Sequence, residues 1–444
     1  MDHVSSIGSR AFAVTNRSVL AIAVPMTLAY LTTPLLGLVD TAVIGQFGDA
    51  ALLGGLAAGA LVFDVVFTTF NFLRSGITGL VAQAFGRADA VEEQAVFWRA
   101  ALLACFVGLV LMVAAPLVSL AGQWFMGADP RVNEAMDVYI RTRMLGAPLS
   151  LLNYAILGYV LGRGEGGFGL ALQLVLNGVN IGLSILLGLE LGWGVAGVAW
   201  GTVGGEFCAA LLGMAVLARR FRGMPRVPKA RLFDFAAFAR LMALNRDIMI
   251  RSFSLLAAFA LFTRQGAQFG TVTLAANAVL MNFFMASSFF LDGFATAAEQ
   301  LAGRAIGARA ETAFRRAVRL TVLWGFGLAG TATLVVFLAG GSLIDLITTA
   351  PDVRATAAIY LPWAALTALS GVLAFEMDGI FIGAIWSRDM RNMMLFALAV
   401  FVVALFALAP LGNHGLWAAL HLFLLVRGFS LLAILPRRLR TAFA

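Results

Sequence analysis

Residues 139–162 read YIRTRMLGAPLSLLNYAILGYVLG, and residues 360–383 read YLPWAALTALSGVLAFEMDGIFIG. Set one above the other, Tyr139 falls on Tyr360, Gly158 on Gly379 and Gly162 on Gly383. The same offset carries Gly86 onto Gly307 and Gly194 onto Gly415, while QFGDA at 46–50 meets QFGTV at 268–272 with one residue of slippage. Glycine-rich segments coincide by chance at isolated positions, not at a series of pairs with one offset. The chain reads as a duplication.

Working outward, each half holds six apolar stretches long enough to cross a bilayer, which takes about 20 residues. They lie near 19–46, 52–83, 98–121, 135–161, 168–190 and 194–218, then 237–268, 273–303, 317–341, 355–384, 392–411 and 415–435. Lipid offers backbone groups no water, and the alternation of barrel strands is missing, so these stretches must be helices. Six is even, which gives both halves the same orientation, and parallel repeats of this kind are a transporter architecture. The expected fold class is an all-α polytopic membrane protein of twelve transmembrane helices in two six-helix lobes. Residues 1–218 form the first lobe, 219–236 a basic cytoplasmic linker and 237–444 the second lobe.

Composition agrees. Of 444 residues, 61% are hydrophobic and only 12% charged, with a mean hydropathy of +0.92; soluble domains carry about 25% charged residues. The net charge of +8 has no soluble domain to carry it, which argues against a nucleic-acid partner and for anchored loops. Cys105 and Cys208 each sit in an apolar segment, so neither a disulfide framework nor a metal-ligand spacing exists. The first eighteen residues lack the build of a removable signal peptide. With both termini inside, the inner loops hold Arg10, Arg17, Arg87, Arg99, Arg163, the run from Arg219 to Arg240, the run from Arg304 to Arg319, Arg388, Arg391, Arg437, Arg438 and Arg440. Only Arg131, Arg141, Arg143 and Arg354 fall near the outer face, and this bias sets the orientation.

The polar residues inside the spans mark the site. A carboxylate at the centre of a membrane helix costs on the order of 2.5–3.5 kcal/mol, yet TPLLGLVDTAVIGQFG at 33–48 places Asp40 there. Tyr30, Thr33, Gly37 and Asp40 share one face of the first span. Gln173, Asn177, Asn180 and Ser184 form a stripe on the fifth, and Thr202 and Glu206 lie one turn apart on the sixth. Facing lipid, all of them would be unsatisfied, so a shared hydrated cavity is expected, with Asp40 as a proton-exchanging carboxyl in its outer half. Asp64 and Arg74 read equally well as structural or functional. In the second lobe Ser288, Asp292 and Glu299 share a face of the eighth span, and Glu376 and Asp378 lie on the tenth. Glu299 and Arg264 also fit side chains that simply reach an interface. GRGEGGFG follows a membrane helix instead of a strand, so it is a turn and no dinucleotide loop. His414 and His421 stand without carboxylate or cysteine partners in sequence. No nucleophile and base pair occurs at a recognisable spacing, so no catalytic residue, metal or other cofactor is expected.

VDTAVIGQFG, FNFLRSGITGLVAQAFG, FFLDGFATAAEQLAGRAIG and DGIFIGA, with the duplicated twelve-span plan, resemble the multidrug and toxic compound extrusion (MATE) transporters, specifically their DinF branch. The resemblance implies export of organic cations and other amphipathic compounds against an inward proton or sodium gradient, from the bacterial inner membrane, by alternating access. It implies that Asp40 is the proton-coupling aspartate of the first helix and Pro25 the proline at which that helix bends. Asn180 and Thr202 match positions around the same site. Ser184 departs from the pattern, since archaeal relatives carry a second aspartate there that helps to bind sodium; its absence favours protons. The expected partners are small amphipathic or cationic substrates and the bilayer, and the expected state is a monomer. A lipid-linked oligosaccharide flippase of the wider superfamily is the alternative, and a membrane enzyme acting on lipid-linked substrates a more distant one.

Overall fold

The computed structural model describes residues 13–444, so Arg10 lies outside the described residues. Among those residues the elements are helical. Helix α1 spans Asn16–Gly45, α2 Ala50–Thr68, α3 Phe72–Gly86, α4 Ala90–Met126, α5 Pro130–Leu145, α6 Ala147–Gly162, α7 Gly166–Leu183 and α8 Gly194–Arg222. After a short α9 at Lys229–Leu232 come α10 Phe235–Ala267, α11 Thr271–Gly307, α12 Glu311–Ile347, α13 Pro351–Gly383, α14 Ser387–Ala407 and α15 Gly412–Phe443. A π-helical segment, Ser184–Glu190, extends α7.

Ten of these helical stretches are long and apolar enough to cross a membrane, and an eleventh is the pair α5 and α6, bent by 52° at Gly146. Arg251 and Arg264 interrupt the apolar run of α10, which has 33 residues and completes the set of twelve. Two spans that read as continuous are therefore broken: α2 from α3 at residues 69–71, and α5 from α6 just before Pro148. At the second, Pro148 removes an N–H from the ladder, which marks the bend. Polar starts are capped locally. Asp49 accepts from the Ala51 N–H at 2.8 Å and Asp129 from the Arg131 N–H at 3.0 Å. The Glu92 N–H, at 3.0 Å, holds the Asp89 carboxyl below its usual range at the head of α4.

The chain divides into two compact units. The N-unit is Leu28–Asn245; the C-unit comprises Arg246–Ala444 together with residues 13–27. The expected lobes placed all of the first span in the first lobe and residues 237–245 in the second; the crossings instead fall inside α1 and α10. Within the C-unit, the opening turns of α1 pack on α11, where a Cβ on Gly293 would lie 2.0 Å from Thr27 Oγ1. Within the N-unit, the opening turns of α10 pack on α3, where a Cβ on Gly76 would lie 3.3 Å from Asn245 Oδ1.

The duplication recurs in the packing of each unit. A Cβ on Gly158 of α6 would lie 2.6 Å from the Arg74 carbonyl oxygen of α3, and one on Gly162 2.8 Å from that of Thr78. In the C-unit, Gly379 and Gly383 of α13 approach the carbonyls of Ala295 and Glu299 on α11, to 2.2 and 2.0 Å by the same measure. Arg74 with Ala295 and Thr78 with Glu299 keep the sequence offset of the glycines. Left-handed turn residues pair likewise, Ala88 (φ 56°) with Arg309 (φ 51°) and Gly164 (φ 80°) with Ile385 (φ 60°). Lipid tails are as apolar as leucine, so helices in a membrane gain most from this close backbone approach. Gly379→Ala should therefore destabilise the protein by about 3 kcal/mol, the upper part of the range for overpacking. Gly330→Ala, whose Cβ meets nothing within 4 Å, should be neutral or better. Thermal unfolding in detergent checks this, and equal midpoints for the two variants would overturn the seat assigned to Gly379.

Candidate functional site

The polar stripes of the N-unit come together because α8 presents small residues to α7. A Cβ on Gly201 would lie 2.7 Å from Ser184 Oγ, one on Gly205 2.4 Å from the Leu176 carbonyl, and one on Gly197 2.5 Å from the Gly188 backbone nitrogen. This spacing of four is the small-residue stripe that lets membrane helices touch. It draws the π-helical segment against α8, and such segments concentrate at functional positions. Asn177, Asn180, Ser184, Thr202 and Glu206 are all buried as a result.

Ser184 Oγ donates to Asn180 Oδ1 at 3.0 Å. Asn177 Nδ2 donates to Thr32 Oγ1 at 2.5 Å, so Thr32, and not the exposed Thr33, is the threonine of α1 that meets α7. Gly37 is exposed as well, and Gln173 is half-buried. Thr202 Oγ1 bonds to its own helix at the Val198 carbonyl, 3.2 Å away. Tyr30 accepts from Arg74 Nη1 at 3.2 Å, and Arg74 also reaches Asn71 and Ser75. Asp64 is exposed on α2.

Asp40 is half-buried on α1, and Ser184 and Arg143 are the side chains that act on its carboxylate. Its Oδ1 is buried without a hydrogen-bond partner. Arg143, counted in sequence only among the arginines near the outer face, is buried in the last turn of α5, with Nη1 on Glu206 Oε1 at 3.0 Å and its guanidinium 3.9 Å from the Phe63 ring centroid. Tyr139, one turn earlier, interacts with it. Glu206, expected only as a polar cavity residue, is thus already neutralised. Two features pass unseen in sequence. The Gly197, Gly201, Gly205 stripe had a signal in its spacing, whereas Arg143 had none, because the bend at Gly146 is what turns it inward and its repeat counterpart is Ala364.

The acids of the C-unit separate into different roles. Asp378 on α13 accepts from Arg251 Nη1 at 2.7 Å and from Arg427 Nη2. Glu376, two residues away, is fully buried and neither carboxyl oxygen has a hydrogen-bond partner. Asp292 is half-buried on α11, where the Ser288 hydroxyl bonds back to Met285. Glu299 is buried beneath Gly383, not extended to an interface. Pro25 is half-buried within an unbroken α1, two residues before the helix passes from one unit to the other. No group of three or more metal-ligating side chains exists among the described residues. His414 and His421 flank Trp363, the first accepting from its Nε1 at 3.0 Å.

Removing one partner of a buried ion pair leaves an uncompensated charge, at a cost of about 3–5 kcal/mol. Arg143→Met should therefore lower the thermal midpoint in detergent markedly, and adding Glu206→Gln should recover most of the loss. A single variant as stable as the parent would show the pair to be dispensable.

The sequence model of the MatE family matches residues 25–186 and 248–408, one copy in each half. The chain is 37% identical over 422 residues to DNA damage-inducible protein F of Escherichia coli, spanning 94% of this chain and 92% of that protein. It is 26% identical to a probable multidrug resistance protein NorM of Chromobacterium violaceum, spanning 96% and 94%. Crystal structures of MATE in bent and straight conformations superpose with TM-scores of 0.88 and 0.88 at 17% and 16% identity, each over 96% of both chains. A duplicated, twelve-helix membrane chain of this sequence and fold belongs to the MATE family of transporters, and is no enzyme.

Proposed function

We propose that this protein is a proton-coupled antiporter that exports organic cations or other amphipathic compounds, with Asp40 as the group that exchanges the coupling proton. One observation carries the reading. The carboxylate of Asp40 lies within a membrane helix with one oxygen buried and unpartnered, while the guanidinium that acts on it is already bound to Glu206. An anion so placed is stabilised by taking either a proton or a cationic substrate, and by linkage each weakens the other. Protons entering from outside would discharge the cargo, and release of the proton inside would restore the affinity. Ser184 supplies a hydroxyl where a second carboxylate would favour sodium. Pro25 leaves the Ala21 carbonyl without a backbone donor, which gives α1 a place to bend as access alternates. The location is the bacterial inner membrane with both termini in the cytoplasm, on the arginine bias, and the working unit is a monomer.

The test is efflux in inside-out vesicles with pH and sodium gradients imposed separately. Transport should follow the pH gradient and ignore sodium; sodium-driven transport at zero pH gradient would sink the proton reading. Asp40→Asn removes a buried charge, so the variant should reach the membrane at normal levels yet lose concentrative efflux, and wild-type efflux from it would return Asp40 to a structural role. Pro25→Ala should fold and turn over more slowly; an unchanged rate would count against the hinge.

A further inference from the structure

The C-unit buries a charge cluster whose signs do not balance. It holds Asp292 on α11, Glu376 and Asp378 on α13, Arg251 of α10 and Arg427 of α15; Glu376 is acted on by Asp292 and by neither guanidinium. Asp378 takes both arginines, and Asp292 also acts on Arg251. Glu376 is the carboxyl left over. It is 0% exposed, and neither oxygen finds a donor at hydrogen-bonding geometry. The α12 face against it offers the Thr321 hydroxyl, which donates to its own helix at Ala317, and the bare backbone of Gly325, where a Cβ would come within 3.0 Å of Glu376 Oε1. Of the other charges on neighbouring elements, Glu299 has its own interaction, Arg391 of α14 holds Asp247, Arg438 of α15 holds Asp389, and Arg316 and Arg319 of α12 are exposed.

Resting on the proton-antiport reading, we infer that Glu376 is a second proton-carrying group of the transport cycle, housed in the C-unit. One proton on Glu376 leaves two carboxylates against two guanidiniums, an electrically balanced interior; a buried charge there with no counter-ion would be prohibitively costly. The N-unit repeats the logic, since Glu206 has Arg143 and Asp40 is the acid left over. A carboxyl sealed from both sides is what a carrier needs in its occluded state, with exchange reserved for the conformation that opens the α11 and α13 packing.

Reconstituted protein, with ethidium as substrate, gives the ratio of protons to substrate from the pH gradient at which net flux vanishes. Wild type should need two protons per ethidium, and Glu376→Gln one, with transport still driven by the pH gradient. Glu376→Gln retaining the wild-type ratio, or a wild-type ratio of one, would overturn the inference while leaving proton antiport intact. Wild-type flux indifferent to pH would overturn both, and would be seen before any variant is made. Infrared spectra of the wild-type protein, carboxyl-labelled at glutamate, provide a measurement that needs no variant to fold. A protonated carboxyl band shielded from deuterium exchange supports the inference, and its absence at neutral pH overturns it.

Discussion

In hydrocarbon an acidic side chain has three ways to exist: beside a cation, under hydrogen-bond donors, or with a proton. The interior of this protein sorts its acids accordingly. Glu206 and Asp378 are beside arginines, and Asp40 and Glu376 are left to the remaining options. The pairing of Arg143 with Glu206 fixes α5 to α8, and that of Asp378 with Arg251 and Arg427 ties α13 to α10 and α15. In the N-unit the clasped guanidinium also acts on the carboxylate of Asp40. Stability and chemistry there compete for the same guanidinium.

Charge alone does not bring these helices close enough. The glycines of α6, α8 and α13 do, by letting one backbone lie directly against another where any larger residue would hold them apart. Polar side chains then meet across short distances, as Asn177 meets Thr32.

Much of this was legible in sequence. Twelve apolar stretches and the constant offset between halves give the fold because hydrophobic length and periodicity act locally. Asp40 and the stripe ending in Ser184 are legible because an acid in an apolar run is costly and helical spacing puts neighbours on one face. The breaks after Thr68 and at Gly146 were missed because each span was read by its length and overall apolarity, although Pro148 marks the second in sequence. The pairing of Arg143 with Glu206 was missed because arginine near a helix end ordinarily serves the interface. The split of Glu376 from Asp378 could not be read either: two acids two residues apart look alike until the arginines of distant helices select one.

The crossings inside α1 and α10 bear on how such a chain is made and how it arose. The N-unit closes only when residues up to Asn245 are available, and residues 13–27 find their seat only after the C-unit has been synthesised. The opening helix must therefore wait in the bilayer, half packed, for most of translation. A half-length ancestor would have faced the same requirement between two copies, each lending the start of its first helix to the other. Fusion of the genes would have turned a concentration-dependent exchange into an intramolecular one, raising the effective concentration of the missing segment without a new contact.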